Sequence, residues 1–387
     1  MRLRMFGATD PGLVRANNQD NYFCSSDFGI VIVSDGMGGH KGGEIASRLV
    51  VEGLRDAYLQ SDQILAEQVG SFLDETLSKI NMDILGRSRK DSNLKGMGAT
   101  VDYLQYAGDT VVIGHAGDSR SYLLKSYERK GKGVRTGIWC LTVDHNVGTF
   151  LKRGLLIPGR DIAPPPHSEK VLSRLTRGMG LIPDLKADLY YRSLDEGDVY
   201  LTCSDGVHGF ISDEAILRAV CAGPIEEAPK RIIEVVKKKG APDNITVVLT
   251  IVGEAKHPLR SKEAKDKFID KPFLLRMPSG EITGLHSSKD IIEKWTHGSL
   301  PGDCEVAGPF GSWVFLEKPA QVLRRYPSLQ TSEMNEFVKR MQPDTDIKSI
   351  VGAEEYSSKN GQAFRFVFLI LLLIATAAIY YFQLYKK

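Results

Sequence analysis

Residues 20–47 read DNYFCSSDFGIVIVSDGMGGHKGGEIAS. Two runs rich in aromatic and β-branched residues flank Ser26-Asp27-Phe28-Gly29, a cluster of turn formers, so the stretch reads as a β-hairpin. With the turn centred between Asp27 and Phe28, Asp20 and Asp35 lie equally far from it. Cross-strand partners have Cβ atoms about 4.5 to 5.5 Å apart, so the two carboxylates meet at the open end. The glycines that follow let the backbone turn tightly before a helical pattern begins at Glu44. A loop that only reversed the chain would need two or three turn residues. This one makes room for something.

The same grammar recurs further on. Asp118 in GHAGDSR and Asp205 in LTCSDG each follow an apolar run, whereas Asp243 in GAPDNIT precedes one, as Asp20 does. In antiparallel sheets the end of one strand lies beside the start of its neighbour, so all five aspartates can collect at one rim. Singly, each is also a common turn residue. Crowded acids repel unless they are protonated or neutralised, and hard divalent ions with oxygen ligands, Mg²⁺ or Mn²⁺, are the natural counter-charge.

Bulk properties bound the rest. The chain has 387 residues, 42% hydrophobic and 25% charged, enough for two or three globular units. With 50 basic and 48 acidic residues the formal charge is +2, which gives no whole-protein case for nucleic-acid binding. The five cysteines are widely separated and mostly apolar in context, as reduced thiols are. MRLRMFGATDPG lacks an apolar run, so no secretory signal is expected. Near the other end, Phe366 to Phe382 is 17 residues without a charge, and 364–384 is long enough for a bilayer core that needs roughly 20. Tyr380-Tyr381 and Lys386-Lys387 suit an interface anchor. A single-pass C-terminal membrane anchor is expected, and free thiols place the body of the chain in the cytoplasm.

Helical faces over Glu44–Leu59 and Ile64–Leu85, and again near 213–221 and 225–239, alternate in blocks with the buried strands GIVIV, TVVIGHAG, DVYLTCS and ITVVLTIV. Without regular βαβ alternation, this is an α+β pattern of antiparallel sheets. The expected units are 1–254, a charged linker 255–269, a small α+β module 270–318, a polar stalk 319–363 and the transmembrane helix 364–384. The module should hold a turn at Pro278-Ser279-Gly280, a helix near Ser288 to Trp295 and closing strands around Gly308 to Gly311.

Eight motifs appear in order: DPGLVRANNQD, VSDGMGGHKGGEIAS, GMGAT, GHAGDSR, LTVDHN, LTRGMG, LTCSDGV and PDNITVV. Together they resemble the bacterial branch of the metal-dependent serine/threonine protein phosphatases, the protein phosphatase 2C family. The resemblance implies a four-layer α-β-β-α sandwich with two Mn²⁺ or Mg²⁺ ions between the sheet ends. It implies Asp20, Asp35 (bridging), the Gly36 carbonyl, Asp205 and Asp243 as metal ligands, Asp118 as ligand of a third, weaker ion, and Arg15 at the substrate phosphate. Where animal members carry histidine two residues after the bridging aspartate this chain has Met37, and His40 is the candidate proton donor. His145 and His208 read as structural or loop residues. Gly148 to Leu175, with Pro164-Pro165-Pro166, corresponds to the family's flap, and Lys125 to Gly137 reads as a basic hairpin tip.

The module faintly resembles GYF-type adaptor domains, through Trp295, GSLPGDCEV and Gly311-Ser312-Trp313. Its tryptophans read either as a peptide platform or as core. The expected function is metal-dependent hydrolysis of phosphoserine and phosphothreonine in proteins, with a membrane serine/threonine kinase and its substrates as candidate partners in signalling. The alternative is a catalytically silent, membrane-tethered adaptor that binds phosphoproteins.

Overall fold

The computed structural model describes residues 1–38, 41–129, 133–153, 168–255, 257–260 and 272–341. The order begins β1 (Leu3–Asp10), β2 (Asp20–Ser25), β3 (Ile30–Met37), α1 (Gly42–Gln60), α2 (Val69–Lys90), β4 (Gly98–Ala99), β5 (Val101–Ala107), β6 (Thr110–Ala116), β7 (Arg120–Arg129) and β8 (Gly133–Cys140). It continues with α3 (Val147–Lys152), α4 (Glu169–Leu172), β9 (Asp188–Ser193), β10 (Val199–Cys203), α5 (Asp205–His208), α6 (Asp213–Cys221), α7 (Ala228–Lys237) and β11 (Ile245–Val252). A smaller module then adds β12 (Phe273–Arg276), β13 (Ile282–His286), α8 (Ser288–Thr296), β14 (Glu305–Ala307), β15 (Val314–Phe315), α9 (Pro319–Arg325) and α10 (Ser332–Met341).

One antiparallel sheet runs β1-β11-β10-β7-β8, and a second runs β2-β3-β5-β6-β9 with β4 paired to β3. Side chains two residues apart share a face, and this period separates the cores. Val31, Val33 and Leu104 meet Leu123, Tyr200 and Val248 in one cluster between the sheets. Their neighbours Ile30, Ile32 and Tyr103 turn outward to Val50, Leu54, Leu73 and Leu77 of α1 and α2. Leu124, Leu201 and Leu249 likewise meet Ile216, Val220, Ile232 and Val236 of α6 and α7. Helices thus cover the outer face of each sheet.

The β2-β3 hairpin has the expected register, with Asp20 opposite Asp35 and Ser25 opposite Ile30. Other expectations need correction. The second helix starts at Val69, not Ile64, because Ala66–Gln68 forms a separate 3-10 turn and Leu65 is exposed. Lys125 belongs to β7 rather than a hairpin tip, and its buried ammonium bonds Asp195 at 2.6 Å and Asp198 at 2.8 Å. Gly308 to Gly311 is not strand, since Pro309 and Phe310, whose φ of 58° is left-handed, carry the chain out of the sheet between β14 and β15.

The start of the 255–269 linker is also fixed, with Leu259 buried and its carbonyl bonded by Ser126 and Thr136. Residues 319–341, expected as the start of a stalk, are part of the module. Val322, Leu323, Leu329, Met334 and Val338 pack against Phe273, Ile291 and Trp295. Trp295 and Trp313 are each only 5% exposed and sit in different clusters, so they do not share a platform.

The module closes one side of the larger unit. The Gly280 carbonyl accepts the Tyr191 N–H of edge strand β9, and Gly280 has φ +88° with Leu189 O only 2.1 Å from where a Cβ would stand. At the other sheet's edge, Phe310 donates to Ile138 O at 2.9 Å and the Trp313 indole N–H donates to Cys140 O at 2.8 Å. Arg276 lies between Tyr190 and Trp313, 4.9 and 4.4 Å from their ring centres, and pairs with buried Glu305. Among the described residues no helix is long and apolar enough to cross a membrane; the 364–384 segment lies outside them.

Candidate metal centre

Strand ends set the centre. Asp20 opens β2, Asp35 sits near the end of β3, Asp205 opens α5 two residues after β10, Asp243 precedes β11, and Asp118 lies where the chain passes from β6 to β7. Ser204, the residue before α5, donates to Asp20 Oδ2 at 2.7 Å, which ties the Asp205 turn to the β2-β3 hairpin. Asp35 and Asp205 lie close enough that each carboxyl shifts the other's titration. Arg15 reaches in from an exposed loop and donates to Asp243 Oδ2 at 2.9 Å.

Missing side chains make this approach possible. A Cβ on Gly206 would stand 1.8 Å from Asn244 O, so only glycine lets the Asp205 turn lie on the segment that carries Asp243. A Cβ on Gly43 would stand 2.6 Å from Gly36 O, and its absence leaves that carbonyl approachable. Asn244 completes the frame by accepting Gln19 N–H and donating to Pro11 O and Asn17 O.

The electrostatics are those of acids short of counter-charge. Burial, reinforced by Asp205 and Asp243, pushes Asp20 up to about 7 despite hydroxyl donors from Ser204 and Thr246. Burial and the charges of Asp20, Asp205 and Asp118 hold Asp35 well above the carboxylate range. Burial, then Asp205 and Asp144, does the same to Asp118. Asp20 Oδ1 is buried without a hydrogen-bond partner. Among the described residues no three acidic, histidine or cysteine side chains already converge in metal-ligand geometry. The carboxylates instead turn to Ser204, Arg15 and one another. The donor set, its orphaned oxygen and its mutual repulsion fit hard divalent cations.

Around Asp118 the loop is held at each step. Asp35 N–H donates to Thr100 Oγ1 at 2.8 Å, and Thr100 Oγ1 lies 2.7 Å from Ser119 Oγ. Gly117, at φ +126°, gives its carbonyl to His145 N–H. Arg120 forms a two-point pair with Asp144 at 2.8 and 2.7 Å. His208, expected as a loop residue, closes α5 and donates from Nε2 to Asp118 O at 2.8 Å. Ser204, Asn244, Asp144 and His208 were not legible as parts of this frame, although Ser204 and Asn244 each adjoin an expected ligand. His40 lies outside the described residues, as do 154–167 of the segment matched to the flap.

Fold and rim together define an α+β protein with an acidic centre at the ends of two packed antiparallel sheets. The Protein phosphatase 2C profile matches residues 14–129. The serine/threonine phosphatase stp of Listeria monocytogenes is 32% identical over 248 residues, 62% of this chain and 92% of its own. The serine/threonine protein phosphatase PstP of Mycobacterium tuberculosis is 32% identical over 298 residues, covering 76% of this chain and 54% of that protein. A crystal structure of M. tuberculosis PstP superposes with a TM-score of 0.54 at 30% identity, over 66% of this chain and all of that one. The PstP catalytic domain in complex with two manganese ions gives 0.52 at 31%, over 65% of this chain and 99% of that one. The chain belongs to the protein phosphatase 2C family. It spans about half the length of the Mycobacterium relatives it matches.

Proposed function

We propose that this chain hydrolyses phosphoserine and phosphothreonine in proteins, using Mn²⁺ or Mg²⁺. The observation that carries the reading is the gathering of Asp20, Asp35, Asp205 and Asp243 from separate strand ends into one electrostatically linked group. These four and the Gly36 carbonyl would hold two ions, with Asp35 between them, and Asp118 would hold a third, weaker one. When bound, such ions supply a nucleophilic water at neutral pH and the positive charge that offsets a phosphoryl group.

The chain's own groups do the rest. The Arg15 guanidinium, already fixed by Asp243 and half exposed, presents a planar fork of donors to phosphate oxygens. His40 is the proposed donor of a proton to the departing serine or threonine alkoxide. The α-β-β-α order of layers belongs to the same reading, supported by the three apolar clusters. So does a single C-terminal membrane anchor at 364–384, which would hold the catalytic unit on the cytoplasmic face near phosphorylated proteins such as a membrane serine/threonine kinase and its substrates.

Phosphate release from a phosphothreonine peptide by the full chain tests the reading. With Mn²⁺ the enzyme turns over. EDTA or Asp205→Asn lowers the rate more than about 100-fold, beyond the usual cost of losing an outer-sphere partner. Turnover that survives both treatments removes the mechanism, and tight peptide binding without turnover selects the silent adaptor.

A further inference from the structure

Asp205 and His208 are the first and last residues of α5, a single turn. On the far side of that turn the His208 ring meets the loop that crosses from the β6 sheet to the β7 sheet. Its Nε2 stands 2.8 Å from Asp118 O. A carbonyl oxygen can only accept, so Nε2 carries the proton and His208 is the donor. One imidazole thus joins the turn that bears Asp205 to the backbone of Asp118.

The neighbouring bonds explain why this one matters. Gly117 is held through its carbonyl by His145, and Ser119 through its hydroxyl by Thr100, which also takes the Asp35 N–H. These bonds fix one end of the loop to the segment after β8 and the other to the β3-β5 side. His208 fixes its middle, at Asp118 itself, relative to the β10-β11 side. Arg120, two residues after Asp118, is held in its two-point pair with Asp144.

We propose that His208 is a positioning residue that sets the Asp118 carboxyl relative to Asp205, and thereby the affinity of the weakest metal step. The proposal rests on the metal-centre reading above. A ligand carboxylate must be held to within about 0.5 Å to bind well, and outer-sphere partners of metal ligands change affinity by about 10- to 100-fold when lost.

Mn²⁺ titrations of the full chain, by calorimetry and by electron paramagnetic resonance of free Mn²⁺, test it with His208→Gln and His208→Met. Both side chains approximate the ring's volume, but only glutamine has an N–H to donate. The expected result is a weakest binding step about 10-fold weaker or more in H208M and within about 3-fold of wild type in H208Q, with the tighter steps unchanged in both. Asp118→Asn should weaken the same step. Equal titrations for H208M and H208Q, or weakening of every step alike, would overturn the proposal. His208→Asn against His208→Leu repeats the comparison with shorter side chains, so poor folding of one variant, read by thermal melting in EDTA, does not remove the test. Asp205→Asn separates the two levels: if it binds Mn²⁺ as wild type does, the metal-centre reading itself fails.

Discussion

His145 illustrates what a buried ring does to a fold in acid. Its Nδ1 accepts the Gly117 N–H at 3.1 Å, so the ring proton sits on Nε2 and is donated to Asp188 Oδ2 at 3.0 Å. Burial, then the charges of His115 and Arg177, outweigh the Asp188 carboxylate and push His145 down to about 4. The unfolded chain, with an ordinary histidine, binds more protons than the folded one between pH 6.5 and 4, so stability falls as pH drops through that window. Melting curves from pH 7 to 4.5 should show wild type losing on the order of 2 kcal/mol more than His145→Gln by pH 5. Parallel curves would show that His145 is not the group responsible. In LTVDHN this histidine reads as a turn residue; the partners that give it its task, Gly117, Arg177 and Asp188, are remote in sequence and become visible only once the strands pair.

Strand β8 would be an open edge but for the strap from Gly308 to Trp313. Phe310 joins the cluster on the outer face of the sheet, Trp313 joins the one between the sheets, and each gives a backbone carbonyl of β8 a hydrogen bond. This engages the Ile138 and Cys140 carbonyls that the end of β8 would otherwise offer to another strand. Trp313→Ala should cost about 3 to 5 kcal/mol, and Trp313→Phe less, read from denaturant midpoints at unchanged slope. A neutral alanine variant would show that the strap is decorative. Alternation exposed the strands and the hairpin register to sequence reading, and α8 was legible too, with Ser287 and Asp290 capping its start. The start of α2 was not, because Leu65 continues the apolar spacing although a 3-10 turn swings it outward.

Taken whole, the described residues of the module pack into the larger unit rather than standing apart from it as a tethered adaptor. The module supplies Leu274, Ile282, Ala307 and Trp313 to the cluster between the two larger sheets, and Arg192 of β9 donates to Gly284 O at 2.8 Å. A chain cut after residue 254 would expose the β8 and β9 edges together with the faces of Trp139 and Tyr190. It should melt about 10 °C or more below a chain cut after residue 341, at about 2 to 4 °C per kcal/mol lost, and should aggregate sooner. Equal melting temperatures would mean the module is a passenger. In the same comparison the full chain should remain with membranes after alkaline extraction and the 341-residue chain should not, if 364–384 is the anchor proposed.

The sequence by itself determined the family, the α+β class, the pairing of Asp20 with Asp35 and the list of acidic candidates, because these depend on local chemistry: turn residues, a period of two, and short motifs in order. Only the tertiary structure decided which residues frame those acids, that 319–341 packs with the module, and what its tryptophans touch. Ser204, Asn244, Asp144 and His208 act through hydrogen bonds across long sequence separations, and no local pattern encodes such a bond. The same holds for Trp313, whose burial depends on a β-sheet edge that exists only after the larger unit has folded.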